Sequence, residues 1–378
     1  MEEEFQRNFE ERGELGASLS IWKNGEEVVS LHEGWRDKEK TLPWNEDTLV
    51  PVWSATKGPA AIATLLALHD AGLSVHTKAS EVWPELRAAS ESRLTLAGIL
   101  SHQSGLPALD PDKRGNILHH RSVVQELETQ TPFWEPGKGH GYHPRTYGFL
   151  LDEIVRRTTG GTSLAHFWNT RFARPLRLEF YLGELTEEHL GRLATMVPPT
   201  TQRPSEEELP FFRALAQSDS IAQAAFSSPG GMRALSDINK LEYLQAGLPS
   251  LGGVGTARAL AEFYSILAQG GVQDGVVVLP KPVIEAARSL QTDGEDHTFL
   301  MPTAFTCGFM KDPLNSTGAK LRHRFGPSLR AFGQPGAGGS HAFADPENGF
   351  AFAYVMNQME VGVLPNAKSL NLVEALYS

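Results

Sequence analysis

Hydrophobic and polar positions divide the chain into three stretches. The first is dominated by alternation. Ala17, Leu19 and Ile21 share one face, Asn24-Gly25 supplies a turn, and Val28, Val29 and Leu31 return, which predicts a β-hairpin over residues 16–34. Ahead of it, residues 1–14 are charged, with Phe5 and Phe9 on one side, and predict a lead-in helix. A short strand over 49–53 then runs into a helix in which Ala60, Ala63, Leu66 and Ala67 recur before Ala71-Gly72 ends it. In the second stretch the period is helical, at 94–100 with Thr95 as N-cap and at 123–128, 147–157 and 164–172. Polar connections such as 198–209 join these segments.

The third stretch opens on Gly252-Gly253-Val254-Gly255, which reads as a loop, and on Thr256, which caps a helix carrying Leu260, Phe263 and Leu267. Val276-Val277-Val278 reads as a short strand. Residues 340–344 and 350–356, separated by Asp345-Pro346-Glu347-Asn348-Gly349, predict a second hairpin, and a helix over 367–377 closes the chain. Strands at both ends with helices between predict an α+β chain, an α/β sandwich. One antiparallel sheet is built from both termini (residues 1–80 and 250–378) and flanked by helices, with a mainly helical insertion at 81–249.

Composition narrows the function classes. The 378 residues are 40% hydrophobic and 21% charged, ordinary for a globular protein with a large core. A net charge of −11, from 34 basic and 45 acidic residues, argues against nucleic acid or an anionic membrane surface as partner. One cysteine, Cys307, excludes an internal disulfide and reads as a buried small hydrophobe. The acidic start Met1-Glu2-Glu3-Glu4-Phe5 lacks an apolar signal region, and no apolar run is long enough to span a membrane, so a cytoplasmic setting is expected.

Candidate chemistry centres on Ser54-Ala55-Thr56-Lys57. A serine becomes a nucleophile when a base stands beside it, and a lysine one helical turn on can be that base once its ammonium loses a proton. Roughly one Ser-x-x-Lys is expected by chance in a chain of this size, and Ser20-Ile21-Trp22-Lys23 is a second copy. Ser20 and Lys23 fall on a strand, where positions three apart face opposite ways, so only Ser54 and Lys57 can meet.

Three loops could complete the site. Residues 134–144 are rich in glycine and proline and carry Tyr142, a phenol that near two cations would have a lowered pKa and could shuttle a proton; the alternative is an aromatic side chain packed on its loop. Residues 333–340 (Gly-Gln-Pro-Gly-Ala-Gly-Gly-Ser) allow close approach of a ligand, and their N–H groups could bind an oxyanion; the alternative is a flexible lead-in to a strand. Leu100-Ser101-His102-Gln103-Ser104-Gly105-Leu106-Pro107 reads as a helix-ending turn that braces the site. Two decoys are set aside. Gly338-Gly339-Ser340-His341-Ala342 approaches a nucleophile elbow but begins a strand, and His119, His120, His140 and His143 follow no metal-ligand spacing.

In order and spacing, these motifs together with Phe343-Ala344-Asp345-Pro346 and Tyr354-Val355-Met356-Asn357 resemble the serine β-lactamase superfamily. The likeness is greatest to its class C branch, with family VIII carboxylesterases and penicillin-binding-protein relatives, and covers residues 16–357. The resemblance implies a β-lactamase/transpeptidase-like fold without cofactor or metal. It implies Ser54 as acyl-accepting nucleophile, Lys57 and Tyr142 as its proton partners, the N–H groups of Ser54 and Ala337 as oxyanion hole, and Pro144, Gln334 and Gly336 near the substrate.

Two departures matter. Pro144 stands where class C enzymes have asparagine, and Gln334-Pro335-Gly336 where they have Lys-Thr-Gly. A neutral glutamine weakens attraction for a β-lactam carboxylate, and proline removes a hydroxyl. Both changes favour a carboxylesterase acting on small, short-acyl esters. A β-lactamase or D-amino-acid peptidase on the same machinery, and a non-catalytic binding or self-assembling member, are the alternatives. The implied partner is a small-molecule ester or amide. Residues 299–309 and 198–220 are the expected walls of its pocket.

Overall fold

The computed structural model describes residues 1–113, 115–200 and 203–378. Strands β1 (Gly16–Lys23) and β2 (Glu26–Gly34) form the expected N-terminal hairpin, preceded by the helix Glu2–Glu10. β3 (Val50–Pro51), β4 (Phe180–Leu182) and β5 (Gly253–Gly255) make a small sheet in the order β3-β5-β4. β6 (Val272–Gln273) and β7 (Val276–Val277) are a minimal hairpin. β8 (Thr292–Glu295), β9 (Pro302–Phe305), β10 (Met310–Lys311), β11 (Phe332–Pro335), β12 (His341–Asp345) and β13 (Phe350–Met356) complete an antiparallel sheet of order β2-β1-β13-β12-β11-β10-β9-β8. The first and last strands of the chain meet as the second and third from the β2 edge, where Ala17 pairs with Met356 and Lys23 with Phe350.

The helix Ala257–Ala268 packs on β1, β12 and β13. The helices Glu2–Glu10 and Ala367–Leu376 lie against each other, and Phe5 of the first meets Tyr354 of β13 with ring centroids 6.5 Å apart. Thr95 and Thr256 cap their helices as the sequence predicts, accepting from the N–H of Gly98 at 3.2 Å and Ala259 at 3.1 Å.

Three expectations change. The strand before Ser54 is only two residues long and belongs to the small sheet, because Trp53 turns the chain at φ 49°. The Gly-rich stretch at 252–255 is not a loop but holds β5. Strands β8 to β11 carry no alternation; β9 and β11 are covered nearly throughout and carry prolines, so the period-2 signal is absent.

The helix Lys57–Asp70 runs through the core, with every residue from Lys57 to Leu68 buried. Small residues make this possible. A Cβ on Gly58 would lie 2.7 Å from the Tyr264 hydroxyl, and one on Gly308 would collide with Ala61. Pro59 sits in the first turn, where its missing N–H costs nothing. Among the described residues no helix is long and apolar enough to cross a membrane.

Candidate active site

Ser54 does not begin the α-helix. It opens a 3₁₀ turn, Ser54–Thr56, and the α-helix starts at Lys57. In a 3₁₀ turn positions three apart eclipse, so the Lys57 side chain falls directly on Ser54, with Nζ 3.2 Å from Oγ. Thr56 locks the turn by bonding the Trp53 carbonyl and accepting the Gly253 N–H at 2.9 Å. In the rival motif, the Ser20 hydroxyl bonds Glu27 at 2.7 Å and Lys23 reaches the Asn348 carbonyl.

Lys57 is fully buried and has no carboxylate partner among the described residues. Its Nζ lies 3.0 Å from the Pro144 carbonyl and 2.8 Å from the Ser250 carbonyl. Burial pushes its pKa well below the ordinary lysine value. A neutral amine suits these surroundings: two N–H groups for two carbonyls, and a lone pair left for the Ser54 proton. Pro144 therefore meets the site through its backbone oxygen and also lines the cavity.

Tyr142 is both packed and placed. Its ring stacks on Phe299 at 4.6 Å, Lys57 Nζ lies 4.8 Å from its centroid, and its hydroxyl accepts from Gln334 Nε2 at 3.3 Å. The expectation of a lowered phenol pKa is reversed. Burial raises it, outweighing the lowering influence of Ser54 and Gln334, while Asp296 adds to the rise. The nearby lysine is itself desolvated and supplies little opposing charge. Tyr142 thus starts as a neutral hydroxyl.

Gln334 and Gly336 stand behind the cavity rather than in its wall. Gln334 is buried and engaged with Tyr142. Gly336 is packed so closely that a Cβ would lie 2.1 Å from the Val52 carbonyl, which docks the end of β11 against the Ser54 turn. Ala337 reaches the cavity. Among the described residues, neither the Ser54 nor the Ala337 N–H donates to another backbone group, so both are free to donate to a developing oxyanion.

The brace at 100–107 is built from histidines. His143 N–H donates to His102 Nδ1 at 3.2 Å, and Gly141 N–H to the His102 carbonyl at 3.1 Å. His143 Nε2 accepts from the Leu106 N–H and meets the Ser104 hydroxyl at 2.8 Å. Burial pushes His143 down to about 3, so it stays a neutral ring that positions the loop. Sequence reasoning missed Ser250, because a lone carbonyl has no sequence signal, and it missed Asp296.

Asp296 is buried and accepts the N–H groups of Tyr142 (both oxygens, 3.1 Å), Thr298 and Phe299 (2.8 Å) and the Thr303 hydroxyl (3.0 Å). Burial raises its pKa against these bonds. Asp296→Asn would turn an N–H donor toward other donors. It is expected to cost about 1–3 kcal/mol of stability and to lower kcat more than it raises KM. Urea unfolding and steady-state kinetics check both.

The cavity beside Ser54 has a volume of about 480 Å³. Its walls come from the helices Leu209–Leu215 and Ile221–Ser227, residues 232–235 and residues 359–363. Of the expected walls, part of 198–220 lines it (residues 201 and 202 lie outside the described residues). Phe299 supports it from behind through Phe211, at 5.6 Å.

Comparison with known proteins bears on this arrangement. A family model described as Beta-lactamase matches residues 5–376. Esterase/beta-lactamase LipL of Mycobacterium tuberculosis is 30% identical over 347 residues, 91% of this chain and 77% of that protein. A penicillin-binding protein homologue from Caulobacter crescentus superposes with a TM-score of 0.86 at 31% identity, covering 100% of this chain and 95% of the other. A family VIII carboxylesterase does so with a TM-score of 0.84 at 29% identity, with the same coverage.

Proposed function

The chain belongs to the β-lactamase family of serine hydrolases, and from that premise we propose that it is a carboxylesterase cleaving small, uncharged, short-acyl esters through an acyl-enzyme on Ser54. The observation that carries the reading is the amine of Lys57, buried without a carboxylate partner among the described residues and directed at Ser54 Oγ between two carbonyls. In this reading neutral Lys57 takes the Ser54 proton as Oγ attacks the ester carbonyl. The tetrahedral oxyanion lies between the N–H groups of Ser54 and Ala337, each contributing roughly 3 kcal/mol. The Tyr142 hydroxyl, recharged from Lys57, hands a proton to the departing alkoxide. Water then attacks the acyl-enzyme, giving its proton back along the same path, and the free acid leaves.

Esters are favoured over β-lactams by Gln334, a neutral amide engaged with Tyr142, where the family resemblance implies a lysine for the substrate carboxylate. The likeness to a family VIII carboxylesterase supports the same choice, whereas LipL carries both activities in its name. A missing charge-assisted hydrogen bond corresponds to about a 10–100-fold loss. 4-Nitrophenyl butyrate should therefore exceed a chromogenic cephalosporin in kcat/KM by at least that factor, and a phosphonate inhibitor should label the peptide holding Ser54. The reverse preference would establish the β-lactamase reading. Inertness to both, without labelling, would favour the non-catalytic one.

A further inference from the structure

The size and chemistry of the cavity point further than a small ester. At about 480 Å³ it lies within the range of roughly 300–1,000 Å³ that takes drug-sized ligands, far more room than a short acyl group and a small alcohol need. Its lining is chiefly Phe212, Leu215, Phe226, Met232, Leu235 and Val361. Of the three charged residues that line it, Arg233 is exposed and has no ion pair among the described residues, and the other two are matched. Arg145 donates to the carbonyls of Pro229 at 2.8 Å and Met232 at 3.0 Å, and Glu360 pairs with Lys368 at 3.2 Å.

The wall is also anchored to the catalytic loop. Arg145 follows Pro144 and holds residues 227–232. An aromatic chain runs from Tyr142 through Phe299 (4.6 Å) and Phe211 (5.6 Å) to Phe226 (5.0 Å). A pocket held this way is present before substrate arrives, so burying an apolar ring in it requires little reordering.

We infer that the substrate is an ester with one bulky, ring-bearing half, which occupies the cavity between the helices Leu209–Leu215 and Ile221–Ser227 and residues 359–363. The inference rests on the ester-hydrolase reading above and revises only the size of the ester that it names. Three methyl or acetyl esters test it. Methyl phenylacetate carries the ring on the acyl side, its isomer benzyl acetate carries it on the alcohol side, and methyl acetate lacks it. One ring-bearing isomer is expected to exceed methyl acetate in kcat/KM by about 10–100-fold, the factor given by burying a phenyl-sized group; which isomer does so assigns the cavity to that half of the ester.

Phe226→Ala should reduce this ratio several-fold. Leu235→Ser, at a position 41% exposed and so harmless to folding, should reduce it too. Hydrolysis of all three esters with ratios near one, or ratios that neither substitution moves, overturns the inference and leaves the esterase reading standing. Hydrolysis of none overturns both.

Discussion

Ser54→Ala lowers ester turnover by about 10⁴-fold or more, the cost of removing a nucleophile from a unit of interdependent groups. The residual rate comes from what the substitution leaves in place: the N–H groups of Ser54 and Ala337 and the cavity. The fold is untouched. Ser54 is only partly buried and its hydroxyl bonds Lys57, and neither Lys57 nor Tyr142 depends on it for its position. Lys57 keeps two carbonyl partners and Tyr142 keeps Phe299 and Gln334. Stopped-flow ester hydrolysis and thermal unfolding read the two halves of the prediction. A variant retaining more than about a hundredth of the activity would exclude Ser54 as nucleophile, since removing a nucleophile costs about 10⁴-fold or more.

Lys57→Met lowers turnover by about 10²–10⁴-fold, the range of a general base, and also changes how stability depends on pH. The folded pKa of Lys57 is lowered by burial, well below the ordinary value of 10.5. Between that folded pKa and 10.5 the unfolded chain binds a proton that the folded chain does not, so stability rises with pH through this window. The Lys57→Met variant lacks the contribution. The difference in unfolding free energy between the two proteins should therefore slope with pH across the alkaline range and level off near 10.5. Activity of the unsubstituted enzyme should rise over an acidic limb set by the same deprotonation. A flat difference would mean that Lys57 keeps its proton in the folded protein and cannot be the base that takes the Ser54 proton.

The two candidate motifs show how much of the site was legible. Ser20 and Lys23 have the same spacing as Ser54 and Lys57, and local pattern alone told them apart, because a strand separates positions three apart and a helical turn joins them. The hairpins ending in β2 and β13 were legible for a similar reason: each has a strong turn signal between alternating strands. The strands from β8 to β11 were not. Short runs such as Thr-Asp-Gly-Glu and Phe-Gly-Gln-Pro leave no period to read.

The roles of single residues divide along the same line. Tyr142 was legible as a residue on a Gly/Pro-rich loop, but its protonation was not, since that depends on burial against Phe299 and Asp296, more than 150 positions away. Gln334 was legible as a departure from a family pattern, but its bond to Tyr142 required the sheet to bring β11 beside the loop.

By itself the sequence determined the layout of this protein: strands from both termini, helices between them, and one serine and one lysine able to meet. These follow from periodicity and turn chemistry, which act over a few residues. Only the tertiary structure decided the electrostatics and the pocket. The lowered pKa of Lys57 arises from burial beside the carbonyls of Pro144 and Ser250, and the apolar cavity from helices at 209–227 placed against residues 359–363. Desolvation and enclosure are properties of packed surroundings, and segments far apart along the chain supply them.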